Sequence, residues 1–236
     1  MLPDKTCVDL TALRQMPKLG KLTTRDLDAA AVEVISNLAE LRTLYVGNMP
    51  EGSLEKIAKL KQLVSFGSPS MAGPGIAALK SCKKLHDIRS ENVPAISDAD
   101  VRALAAALPN LDDLDIGGPA LTNACIPSLL SLKSLKSLML HSNELDDSVI
   151  EPLSKLSNLA DLRLNSSKIV GSNLNVLKKF SSLRELHLDG CSVTDDALDV
   201  LVQLKGLTKL QFRNTKVTDA GIANFKAARP GFNISK

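Results

Sequence analysis

The 236-residue sequence predicts a right-handed α/β solenoid, with a parallel sheet lining a concave side and helices covering a convex side. Three observations predict it: an apolar frame that recurs along most of the chain, a Thr/Ser–Asp motif between copies of that frame, and a core composition built on Leu. Hydrophobic residues make up 44% of the chain and aromatics 3%, with no Trp and one Tyr. A core made from one medium-sized side chain suits an architecture that repeats one environment many times.

The frame is L-x-x-L-x-x-L-x-L, read most clearly from Leu156 to Leu164. Its second Leu recurs at Leu19, Leu41, Leu63, Leu85, Leu111, Leu135, Leu159, Leu183 and Leu207, at spacings of 22, 22, 22, 26, 24, 24, 24 and 24. The positions three before and three after stay apolar in all nine copies, from Met16 and Leu22 to Leu204 and Leu210. The frame residues read as a short strand, because alternate positions are apolar. The motif between frames reads Val193-Thr-Asp-Asp-Ala-Leu198 and Val217-Thr-Asp-Ala-Gly-Ile222, with looser copies starting at Ile96, Leu121 and Leu145. Thr or Ser followed by Asp or Asn is helix N-cap chemistry, since a side-chain oxygen accepts an otherwise orphaned backbone N–H. Apolar residues at three-residue spacing then form one helical face, as at Leu198, Leu201 and Leu204. Each unit is therefore strand, turn, capped helix and return.

This frame resembles the leucine-rich-repeat family over residues 6–236, and the helix start is similar to its bacterial and cysteine-containing subclasses. The resemblance implies a horseshoe with the sheet inside. Cys191 stands where that family often carries Asn or Cys, and Asn143 is the sole Asn in the column. The others are Leu27, Met49, Met71, Val93, Pro119, Ser167 and Thr215, so the family's side-chain hydrogen-bonded ladder is expected to be mostly missing.

One domain is expected over 1–236: about nine repeats across 19–230, with capping segments at both ends. Thr6 to Leu10 reads as a strand-like opening edge and Arg229 to Ile234 as a closing one. The first four units are expected to be less regular than the last five. Thr24, Ser68 and Ser90 replace apolar strand residues there, and the Gly/Pro-rich stretch from Phe66 to Gly75 is poor strand material.

Composition narrows the function. There are 29 basic and 26 acidic residues, scattered and without interleaved aromatics, so no nucleic-acid partner is expected. No apolar run approaches membrane-spanning length, and no membrane insertion is expected. The four cysteines form no CxxC and lack ligand spacing to His; free, buried thiols favour a reducing, cytoplasmic compartment. An upstream signal peptide would instead make the chain secreted or periplasmic. Cys82 and Cys125 read as core, Cys191 as a turn thiol and His86 as surface. Gly73-Pro-Gly75 lacks the Lys-Ser/Thr of a phosphate loop.

Strand side chains alternate, so the residues flanking the frame leucines project from the concave face. The candidate partner-binding residues are Tyr45, Asp87, Arg89, Glu91, Asp113, Asp115, Met139, His141, Asp161, Arg163, Glu185, His187, Asp189, Gln211 and Arg213. Their plainer reading is solvated charge on a sheet that must stay soluble. His141 and His187 lie two strands apart with acids nearby, but a separation of about 10 Å is too long for one ion, so no metal, cofactor or catalytic site is expected. The resemblance implies a non-catalytic protein-interaction module that binds a protein on its concave face. The alternative is the recognition domain of a larger effector, ligase adaptor or cell-envelope protein. Oligomeric state is left open.

Overall fold

The structure, a computed structural model, describes residues 10–90, 93–94, 96–142 and 144–236, with side chains from residue 12 onward. Ten strands form one sheet in which each pairs, in parallel, with its neighbours in sequence. They are β1 (Lys21–Thr23), β2 (Thr43–Tyr45), β3 (Ser65–Gly67), β4 (Asp87–Ser90), β5 (Asp113–Gly117), β6 (Ser137–His141), β7 (Asp161–Arg163), β8 (Glu185–His187), β9 (Lys209–Gln211) and β10 (Asn233–Ser235). Between them run α1 (Leu10–Arg14), α2 (Ala29–Ile35), α3 (Ser53–Ile57), α4 (Asp98–Ala107), α5 (Ile126–Leu129), α6 (Ile150–Leu153), α7 (Asp195–Leu201) and α8 (Asp219–Ala228). Tighter 3-10 segments occupy Pro74–Ser81, Asn123–Cys125, Asp147–Val149 and Leu174–Lys179.

Register follows the frame. Leu114, Leu138, Leu162, Leu186 and Leu210 are successive partners, and Leu111, Leu135 and Leu159 are wholly buried, with Leu183 only 4% exposed. One unit cannot cover its own leucine face, so each neighbour supplies the missing contact. Burying each Leu contributes about 1.5–3 kcal/mol against the entropy of ordering the chain.

The Thr-Asp motif does two jobs. Ser97, Thr122, Asp146 and Thr218 cap their own helical segments through side-chain oxygens, whereas Thr194 makes no such bond. The following residue reaches the next unit. Both carboxylate oxygens of Asp98 accept from Thr122, its N–H at 2.9 Å and its hydroxyl at 2.7 Å. Asp195 grips Thr218 in the same way, at 2.8 and 2.6 Å, and Asp147 takes Gly171 and Ser172. Gly221 is required by this clamp, because a Cβ there would lie 2.3 Å from the Asp195 carboxylate.

Three expectations need correction. Leu10 opens helix α1 rather than ending a strand; Thr6 to Asp9 lie outside the described residues. The ladder is rebuilt from hydroxyls and a thiol: Ser142 donates to Leu121 at 2.6 Å, Ser167 to Leu164 at 2.8 Å, Cys191 to Leu164 at 3.1 Å and Thr215 to Phe212 at 2.8 Å. Short polar side chains thus satisfy these buried carbonyls. The later units carry 3-10 segments as well, as at Leu174–Lys179. Ser68 and Ser90 are buried but bonded to each other, Ser68 N–H to Ser90 Oγ at 3.0 Å. Finally, frame residue Met16 is 48% exposed.

The closing edge forms as expected. Strand β10 pairs with β9; Phe225 and Phe232 pack edge to face at 5.1 Å. Arg229 lies over Phe232 at 4.3 Å and donates to the Leu204 and Leu207 carbonyls.

Candidate functional site: the concave sheet face

The strands bring the flanking residues into continuous rows. One row runs Lys21, Thr43, Ser65, Asp87, Asp113, Ser137, Asp161, Glu185, Lys209. A second carries Arg89, Asp115, Met139, Arg163, His187, Gln211. Gly117 pairs with His141 in a third. Of the candidate residues, Glu91 lies outside the described residues.

Near the first strands Gly67 breaks the wall. Its Cβ would fall 1.9 Å from the Arg89 carbonyl oxygen, so only glycine fits. Beside this close approach lies a cavity of about 470 Å³ lined by Tyr45, Val46, Gly67, Ser68, Pro69, Arg89 and Ser90. Tyr45 donates from its hydroxyl to Asp87 at 3.3 Å. Burial, then the Asp87 charge, push the tyrosine's pKa up. Arg89 joins Asp87 at 3.0 Å to Asp113 at 2.9 Å. Burial raises the Asp113 pKa, partly offset by that guanidinium.

Further along, Arg163 grips Asp161 through two nitrogens, at 3.0 and 2.7 Å. Glu185 accepts from Lys209 at 2.8 Å and lies 3.4 Å from His187 Nε2. Lys209 holds the Glu185 pKa down. His187 is only 3% exposed. Its burial, with the nearby Arg163 charge, lowers its pKa. Asp189 accepts from the Gln211 amide and the Arg213 backbone N–H. The face is thus more internally paired than alternation alone implied: Asp87, Asp115 and His187 are buried among their neighbours.

Ligand-type atoms of Asp161, Glu185 and His187 lie within 4.8 Å of one another. Arg163 and Lys209 already pair with the two carboxylates, in a hydrogen-bonded network across β7, β8 and β9. His141 is not part of it. His86 pairs with Asp112 at 3.0 Å at the exposed sheet margin. Cys82, Cys125 and Cys191 are free and buried. Burial raises all three thiols, Cys125 to about 12.

Alternation placed the candidates on one face, but the reading passed over the Val46–Ser68–Ser90 lining and the Lys209–Glu185 pair. The glycine at a projecting position, Gly67, was the available signal for the cavity.

The sequence matches no protein-family model, and no curated protein matches it. Solved structures do resemble it. An internalin of Listeria monocytogenes strain 4b F2365 superposes with a TM-score of 0.65 at 21% identity, covering 96% of this chain and 70% of that one. A TDR receptor superposes with a TM-score of 0.56 at 20% identity, covering 91% of this chain and 38% of the receptor. The in-register parallel sheet, the leucine spine and these structural likenesses give the chain the leucine-rich-repeat fold.

Proposed function

We propose that this chain is a non-catalytic protein-interaction module whose partner lies along the concave sheet face. The observation that carries the reading is the uncovered face itself. Rows of polar and charged side chains run in register across it, and no element among the described residues packs over them. Its cavity sets Tyr45 beside Arg89, and Tyr and Arg are residue types that anchor protein interfaces. The repeat fold of the internalin supports the same use by analogy of architecture. The chemistry supports binding over catalysis. The carboxylates of β7 and β8 are held by Arg163 and Lys209, and the buried thiols stay protonated.

The test uses exposed or half-exposed residues that take no part in the core. Affinity capture with wild type and with an Arg89→Ala, Met139→Ala, Arg213→Ala variant is compared at equal melting temperature. Selective loss of the captured proteins is expected. Retention of every one overturns the concave-face reading.

A further inference from the structure

We propose that Asp115 and His141 form the seat for a cationic side chain, the ammonium of Lys or the guanidinium of Arg, carried by an extended basic segment of the partner protein. The proposal rests on the concave-face reading and specifies its chemistry.

Asp115 projects from the middle of β5 and is 5% exposed. Its Oδ1 has no hydrogen-bond partner among the described residues, and neither has His141 Nε2. The two atoms face each other at 3.5 Å without hydrogen-bond geometry. A buried polar atom without a partner costs free energy, and native structures retain few. The neighbouring cations do not satisfy this carboxylate. Arg89 is held by Asp87 and Asp113, and Arg163 is held by Asp161. From β4 to the turn after β8, six carboxylates (Asp87, Asp113, Asp115, Asp161, Glu185 and Asp189) face two guanidiniums, Arg89 and Arg163, and the Lys209 ammonium of β9. The centre of the face is therefore acidic, and its least satisfied acid is its most central.

A cation brings what the pair lacks. An ammonium offers N–H donors to the Asp115 carboxylate and to the His141 ring nitrogen, reaching them once the two side chains turn outward, since both atoms are closed to solvent in this arrangement. Met139, half-buried beside them on β6, offers an apolar wall to the aliphatic stem of Lys or Arg. A metal ion fits less well, because only these two side chains converge here, while zinc sites use three or four protein ligands. A single cation in a surrounding acidic field instead implies a basic segment, attracted over its length and anchored at one point.

The experiment titrates wild type and variants with a hexalysine peptide and its fully acetylated, uncharged counterpart, following backbone amides by NMR and fitting affinities. The expected result is perturbation centred on residues 115, 139 and 141, no binding of the acetylated peptide, and about tenfold or greater weakening in Asp115→Asn. Asp219→Asn, on the exposed convex side, serves as the charge-matched control and is expected to leave affinity within about twofold. Folding is read in parallel. Because Asp115→Asn removes an uncompensated buried charge, its melting temperature should match or exceed wild type, and loss of binding with retained stability separates a ligand seat from a structural residue. His141→Gln provides a second variant with the same expected loss. Perturbation of the concave face that Asp115→Asn leaves unchanged overturns the seat while the concave-face reading stands. Equal weakening by Asp219→Asn, or perturbation confined to the convex side, overturns the seat in favour of diffuse attraction. No hexalysine binding at all overturns the cationic partner, and the capture experiment then decides the concave face by itself.

Discussion

Replacing Asp98 with Ala tests the idea that the Thr-Asp motif holds one unit to the next. The Asp98 carboxylate accepts two hydrogen bonds from Thr122, at 2.9 and 2.7 Å, in a half-buried setting. Hydrogen bonds to a charged group contribute about 1.5–3 kcal/mol each when buried, and partial exposure places this pair at the low end. Water also recovers part of the loss, so the net cost is about 2 kcal/mol. For a domain of this size that corresponds to a fall of about 4–8 °C in melting temperature. Thr122→Val costs about 1–2 kcal/mol, because Thr122 also caps the Ala124 N–H at 3.1 Å. The double variant should show a coupling of about 1 kcal/mol between the two sites. In a stacked array, damage at one interface is felt first by the adjoining units. Hydrogen exchange should therefore quicken at Thr122 and Ala124 before it does in α7 or α8. If the two substitutions add to within about 0.3 kcal/mol, the clamp contributes nothing specific and the reasoning is wrong.

Gly67→Ala should destabilise the chain by about 1–3 kcal/mol, since the new Cβ meets the Arg89 carbonyl at 1.9 Å; an unchanged denaturation midpoint would refute the close approach. His187 has a folded-state pKa below that of the unfolded chain. The unfolded state then takes a proton that the folded state refuses, so stability is full above about pH 6.5 and declines as pH falls from there toward the folded pKa. Urea midpoints measured from pH 7.5 to 5.5 should show this decline, and His187→Gln should flatten it. In a Cys7→Ser variant, Cys82, Cys125 and Cys191 should resist a thiol-disulfide reagent at pH 8 until the chain unfolds, because burial keeps them as thiols; rapid native-state labelling at any of them contradicts the packing described.

Much of the fold was legible because the repeat multiplies a weak local signal. One L-x-x-L segment is ambiguous, but nine copies at near-constant spacing assign strand, turn and helix together, down to the row in which Asp115 neighbours Met139. The closing edge was legible too, because Phe225, Pro230 and Phe232 interrupt the frame. At the opening end only Leu10 of the expected segment is among the described residues, and it begins a helix. The ladder was misjudged because it was read by residue type at one position. Ser142, one place earlier in the chain, reaches back to the Leu121 carbonyl of the preceding unit, while Ser167 and Thr215 reach carbonyls three residues before them.

What the sequence determined alone was the identity of each residue's neighbours across the sheet, since period-two alternation and a fixed repeat length leave one register. What tertiary structure decided was how those neighbours share their charges. Whether Arg163 chooses Asp161 or Asp115, and whether His187 is buried while His141 is left facing an unpaired carboxylate, depends on rotamers and distances of a few ångströms. Electrostatic energy changes steeply over that range in a partly desolvated site, and no spacing along the chain encodes it.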